Sequence, residues 1–256
     1  MVRPALSRHP SPVGTIAIRR KRNGAVTMAQ RGGNQSMADR NGISLASYVH
    51  ALYGLAAQVA PRAALMVGCG GGTLATMLHR AGIRVDVVDV DPGTFALARA
   101  HFGMPRVVRC HAADGLAFLQ RTRRRFDVVV VDAFVGERIP EQFTSDAFFA
   151  AARRCLRADG ALLVNVCLDG RRDRTADRLA AGLARAGWPV RILDERGTPQ
   201  RNAVVLAGAV RGLRRPRLLV APTVERDRIA RELAAMGFRR RRMGALPGLA
   251  RGARKR

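Results

Sequence analysis

Three carboxylates and a run of glycines carry the chemistry open to this 256-residue sequence. Asp132 ends the apolar run of "FDVVVVDAF", where an ionisable side chain is costly unless it is paired, hydrated or used. Asp89 ends another apolar run in "VDVVDVDP", a place from which an acidic side chain accepts hydrogen bonds from both hydroxyls of a ribose. Asp114 and Gly115, in "HAADG", follow a third run. Asp114 reads either as a neighbour of an adenine ring or as the N-cap of "GLAFLQ". In "LMVGCGGGTLA", Gly68, Gly70, Gly71 and Gly72 leave an apolar strand and open a helix, so bare backbone can approach a ligand. Asp91, just before Pro92, reads as a helix cap.

These groups need a scaffold that brings strand ends together. From about residue 62 the sequence alternates apolar runs (63–67, 84–89, 106–110, 126–132, 161–166, 189–194, 202–207) with helical patterns (73–81, 93–102, 114–121, 143–157, 172–186). That order predicts right-handed crossovers and a Rossmann-like, doubly wound, mostly parallel seven-stranded α/β sheet. Only about seven residues separate the last two strands, so they are expected to form an antiparallel hairpin. Asn23-Gly24 marks a small N-terminal β-hairpin. The expected organisation is a flexible tail (1–13), a hairpin and helix region (14–60), a Rossmann-like cofactor-binding catalytic domain (61–210) and a basic extension (211–256) with one helix near 223–236. Residues 243–256 are expected to be dispensable for folding.

The net charge of +26 invites a nucleic-acid reading, but most of the excess sits at the ends. Residues 1–60 carry eight basic and one acidic side chains, and residues 211–256 carry fifteen and three. All but Lys21 and Lys255 of the basic residues are arginine, which points to compositional bias, and nucleic-acid binding is expected to be weak and non-specific. No apolar run has the length of a membrane span, and no apolar segment of signal-peptide length follows the first basic residues, so a cytoplasmic protein is expected. Cys69, Cys110, Cys155 and Cys167 have no C-x-x-C pairing and no histidine at ligand spacing, which predicts reduced thiols and no metal.

Among adenosine cofactors, the dinucleotide fingerprint G-x-G-x-x-G would need glycine at Thr73, which argues against NAD. The order of acidic strand end, Asp-Gly and strand-four carboxylate suits S-adenosylmethionine or a relative. Across about residues 33–208 the chain resembles the spermidine synthase family of polyamine aminopropyltransferases. The resemblance rests on "GGNQS" (32–36), "GCGGGTLA" (68–75), "VDVVDVDP" (85–92), "ADGLAFL" (113–119), "FDVVVVDAF" (126–134), "IPEQFTSDAFFAAARRCLRADGALLVNV" (139–166) and "RNAVVLAG" (201–208).

The resemblance implies the class I S-adenosylmethionine-dependent transferase fold and a decarboxylated S-adenosylmethionine held by the glycine loop. It puts Gln35 near the nucleoside, Asp89 on the ribose, Asp114 and Gly115 by the adenine, and Asp132 as the catalytic carboxylate. An amine such as putrescine, with a pKa near the ~10.4 of lysine, must lose a proton before it attacks the methylene beside the sulfonium. The resemblance also leaves room for a homodimer.

The sequence departs from that family in three places. Gly71 stands where the family's loop has an aspartate, Val135 where it has a second one, and Tyr48-Val49-His50 where it has Tyr-His-Glu. Discrimination against the carboxylate of intact S-adenosylmethionine is therefore expected to relax. Methyl transfer on the same scaffold and a non-catalytic adenosyl-binding or RNA-associated role stand as the alternatives.

Overall fold

A computed structural model describes residues 6–241, except Val13, Gly32, Glu137, Arg196 and Gly197. The chain opens with β1 (Leu6–His9), β2 (Ile16–Arg20), β3 (Val26–Gln30) and β4 (Gly33–Ala38), joined in order as an antiparallel sheet. The expected hairpin is its β2–β3 pair. Leu6–His9 pairs with β2, so part of the expected tail is an edge strand. A four-residue strand with alternating polar side chains gives too little pattern to be recognised from sequence.

Helix α1 (Ser47–Gln58) leads into β5 (Ala63–Val67), α2 (Thr73–Arg80), β6 (Arg84–Asp89), α3 (Pro92–Phe102), β7 (Arg109–Ala112), α4 (Gly115–Arg121) and β8 (Phe126–Val131). A 3-10 turn (Glu141–Thr144) then precedes α5 (Asp146–Cys155), β9 (Leu156–Asp169), α6 (Thr175–Arg185), β10 (Val190–Asp194), β11 (Gln200–Gly208), α7 (Arg226–Ala235) and β12 (Gly237–Arg239). The main sheet runs β12-β10-β11-β9-β8-β5-β6-β7. Strands β5 to β9 pair in parallel, and β10 and β11 form the expected antiparallel hairpin. The strand order reverses between β5 and β8, the place where a doubly wound sheet opens a crevice at its carboxyl ends.

Strand side chains alternate between two cores. Ala64, Met66, Val128 and Val130 face α1, α2 and α7, whereas Leu65, Val67, Val129 and Val131 face α5 and α6. Both faces of β8 are buried from Val128 to Val131, which is why that stretch is an unbroken apolar run. The small sheet packs Ile16, Ile18, Val26 and Met28 against Leu97 and Phe102 of α3 and so roofs the carboxyl ends of β5 and β6.

The seven expected strands are present, and the C-terminal segment adds an eighth. Its helix α7 buries Ile229 and Leu233 against the α1 side, and β12 pairs antiparallel with β10. Three residues with two arginines nearby carry no strand pattern of their own; the free edge of β10 supplies the pairing. Residues 243–256 lie outside the described residues.

Candidate functional site

The crevice at the switch point is closed from above by the small sheet and forms a cleft of about 450 Å³. Its floor is the convergence of three strand tips. The amide of Gly68 donates to the Val88 carbonyl at 2.8 Å, and that of Asp132 donates to the Val67 carbonyl at 2.8 Å. Gly68 has φ +96°, and a β-carbon there would collide with the Asp132 carbonyl oxygen, so only glycine lets β5 and β8 close at this point.

Asp89 shapes the glycine loop. One carboxylate oxygen accepts the Cys69 amide at 2.8 Å, and the other accepts the Asp91 amide at 2.9 Å. The Val90 amide also donates to this carboxylate, which leaves one of its four lone-pair sites for a ligand in the cleft. Burial raises the pKa of this carboxyl, and the amides of Asp91 and Cys69 oppose that shift. Asp91 caps α3 through the Gly93 amide at 2.8 Å, as its place before proline implies. Asp114 caps α4 through the Ala117 amide at 2.9 Å while its other oxygen accepts from Gln142 at 2.7 Å. It is thus a helix cap that also lines the cleft.

Asp132 is half-buried, beyond the tip of β8. It accepts a hydrogen bond from Asn165 at 2.7 Å and another from the Tyr48 hydroxyl. Burial pushes its pKa up to about 6, against the opposing effect of those two hydrogen bonds. Burial, and then the Asp132 charge, raise the Tyr48 phenol well above its ordinary value, so it stays protonated and donates. Behind them Asn202 donates to the Asn165 side-chain oxygen at 3.1 Å and to the Cys167 sulfur at 3.5 Å. Asn165, Asn202 and Gln142 were not singled out in the sequence. The signal for the first was a lone amide inside the buried run "ALLVNV".

The cleft brings together Gln35, Gly68, Gly70, Asp89, Asp114, Gly115 and Asp132. Gly71 and Gly72 do not face it, contrary to expectation. A β-carbon on Gly71 would sit 2.8 Å from the Phe102 ring, and one on Gly72 would sit 2.6 Å from the Met104 sulfur. The Gly71 amide donates to Ser36 Oγ at 2.8 Å, which ties the loop to β4. The cleft's electrostatics run against those of the chain: its described lining includes Asp89, Asp91, Asp114 and Asp132 and no lysine, arginine or histidine, in a protein of net charge +26.

A methyltransferase-domain family matches residues 64–160. A polyamine aminopropyltransferase from Neisseria meningitidis is 31% identical over 126 residues, 46% of this chain and 48% of the relative. The solved structure of a probable spermidine synthase from Corynebacterium glutamicum superimposes with a TM-score of 0.76 at 18% identity, covering 93% of this chain and 92% of that one. The chain is thus similar to polyamine aminopropyltransferases over 46% of its length and shares the fold of a probable spermidine synthase. It spans about half the length of the curated aminopropyltransferase it matches. An N-terminal histidine N-methyltransferase from Emericella nidulans is also similar, 27% identical over 189 residues, 70% of this chain and 32% of the relative. No described helix is long and apolar enough to cross a membrane.

Proposed function

We propose that the cleft binds an adenosyl sulfonium together with an amine and transfers an aminopropyl group from decarboxylated S-adenosylmethionine to that amine. The observation that carries the reading is the acidic lining of the cleft in a strongly basic protein. A sulfonium and an ammonium are both cations, and the described lining gives them carboxylates and no competing basic side chain. An intact methionine carboxylate would meet no arginine or lysine among the described lining residues, which favours the decarboxylated form.

The residues present fit such a ligand. The backbone of Gly68 and Gly70 lines the cleft where a nucleoside would lie, the open lone-pair site of Asp89 suits a ribose hydroxyl, and Asp114 and Gly115 flank the place for a base. When bound, the sulfonium activates its neighbouring methylene, so that an amine nitrogen forms the new C–N bond as the C–S bond breaks and sulfur keeps the electron pair. Asp132 holds the amine and takes up its proton, with Tyr48 and Asn165 fixing the carboxylate.

The test is calorimetry with S-adenosylmethionine, its decarboxylated form and methylthioadenosine, followed by mass analysis of products formed with putrescine. Tighter binding of the decarboxylated form and an aminopropylated product are expected. Preference for intact S-adenosylmethionine with a methylated product would replace this reading by methyl transfer, which the methyltransferase-domain match and the fungal relative favour.

A further inference from the structure

A second concavity, of about 650 Å³, lies behind the glycine loop, between the small sheet and the C-terminal ends of α2 and α3. Arg20, Arg40, Arg80 and His101 line it. All three arginines are exposed, and none has an ion pair or side-chain hydrogen bond among the described residues. Its one acid, Asp39, is buried and spent: one oxygen accepts the amides of Asn41 and Ile43, both at 2.9 Å, and the other accepts the Thr223 amide at 2.7 Å. The positive surface continues from Arg20 onto the β2–β3 hairpin, where Arg19, Lys21 and Arg22 are also exposed. A β-carbon on Gly24, in that turn, would lie 3.0 Å from the Arg40 β-carbon, so Arg40 joins the hairpin to the groove.

Arginine-rich composition alone does not account for this arrangement. Elsewhere the buried and half-buried arginines have partners: Arg124 with Asp86, Arg201 and Arg239 with Asp194, Arg228 with Glu225 and Glu232, and Arg191 with the carbonyls of Val210 and Arg211 and the Phe238 ring. Here three exposed arginines line a concavity whose only described carboxylate is turned inward, and Lys21 and Arg22 carry the positive charge on from Arg20 into the hairpin turn. His101 records the resulting field, since burial, then His9 and Arg20, lower its pKa.

We infer that this groove and hairpin form a binding surface for the phosphate backbone of a nucleic acid. Cations that run on from a pocket along a hairpin match phosphates spaced along a strand better than one compact anion. No aromatic side chain is among the exposed large hydrophobics of the described residues, so the surface offers no platform for bases and reads the backbone without sequence preference. The site is separate from the acidic cleft and does not rest on the chemistry proposed there.

The test is fluorescence anisotropy of a labelled single-stranded RNA of mixed sequence with the full chain and two triple variants. One carries Arg20→Glu, Arg40→Glu and Arg80→Glu; the other carries Arg121→Glu, Arg123→Glu and Arg125→Glu, an equal charge change at exposed residues of another surface. The groove variant is expected to lose at least ~10-fold more affinity than the control and to flatten the dependence of log K on log salt by about 2, at about 0.7 per lost phosphate contact. Equal losses in the two variants would show binding by net charge alone and overturn the proposal. Displacement of the RNA by tripolyphosphate at equal phosphate concentration would also overturn it, in favour of a small-anion site. Replacing the same groove arginines by glutamine keeps the test valid if charge reversal impairs folding; that variant must bind RNA more weakly than wild type, and unchanged binding would refute the site.

Discussion

Asn165, within β9, donates to Asp132, just beyond the tip of β8, at 2.7 Å, which holds one carboxylate oxygen in the cleft. The hydrogen bond favours the ionised form, yet burial wins and the carboxyl titrates near 6. A carboxylate with that pKa accepts a proton far more readily than an exposed aspartate and is still ionised at neutral pH.

Turnover is therefore expected to rise with pH through about 6 and then level, because protonated Asp132 cannot take up the amine's proton. Asp132→Asn keeps the acceptor oxygen for Asn165 but lacks the base. It should lower turnover by roughly 10²-fold or more and remove the acid limb of the pH profile, with nucleoside affinity retained. Steady-state rates from pH 5 to 8 check this, and wild-type transfer by the variant would refute the assignment.

The same shift has a consequence for stability. Between about pH 4, where an unfolded aspartate titrates, and about 6, the native state keeps a proton that the unfolded chain has lost. Ionisation of Asp132 therefore costs stability as pH rises through that window, and the cost persists at neutrality. Asp132→Asn should raise stability at pH 7 by about 1–3 kcal/mol and leave it nearly unchanged below pH 4. Urea unfolding at the two pH values measures the difference.

Asp89 is expected to matter twice, once for the ligand and once for the loop that holds it. Asp89→Ala removes the acceptor for the Cys69 and Asp91 amides as well as the ribose contact. Methylthioadenosine affinity should fall by at least ~1.5 kcal/mol and the melting temperature should fall with it. An unchanged affinity in calorimetry would remove Asp89 from the nucleoside site.

Much of this site was legible because it sits at strand ends. Asp89, Asp114 and Asp132 each follow an apolar run, and parallel strands deliver such residues to one edge. Tyr48, Asn165, Asn202 and Gln142 come from an α-helix, two strands far apart in the chain and a 3-10 turn, and only the tertiary fold aligns them. The eighth strand was hidden for a related reason, since three residues pair only because β10 leaves an edge free. The direction of Gly71 was also beyond the sequence. A glycine-rich loop fixes neither which residues face the ligand nor which face Phe102.

That direction alters what a carboxylate at position 71 would do. A side chain there enters the Phe102 ring, which is itself 1% exposed and has little room to yield. Gly71→Asp should destabilise the fold by about 1–3 kcal/mol, as overpacking does, without shifting preference toward the decarboxylated cofactor. Gly71→Ala should produce most of the same loss. Thermal melts of both variants with calorimetry on the aspartate variant check this, and a gain in selectivity would show that the loop turns.

A buried ion network anchors the C-terminal strand, beside the packing of Phe238 on the core. Arg239 donates to both Asp177 oxygens at 2.8 and 3.1 Å and to Asp194 at 2.6 Å, and Asp194 also accepts from Arg201 at 2.7 Å. Burial would raise the pKa of Asp194, but the hydrogen bonds from Arg201 and Arg239 hold it below the ordinary value. Its contribution is thus present above about pH 4 and lost as pH falls through the depressed native value. Arg239→Met leaves two buried carboxylates short of a partner and should cost about 3–5 kcal/mol at pH 7. Adding Asp177→Leu should recover part of that loss, because one stranded charge goes with it. Truncation after Arg242 should leave stability unchanged, whereas truncation before Gly237 should match the Arg239→Met loss or exceed it. Equal melting temperatures for the two truncations would show that β12 contributes nothing and that the buried ion network is incidental.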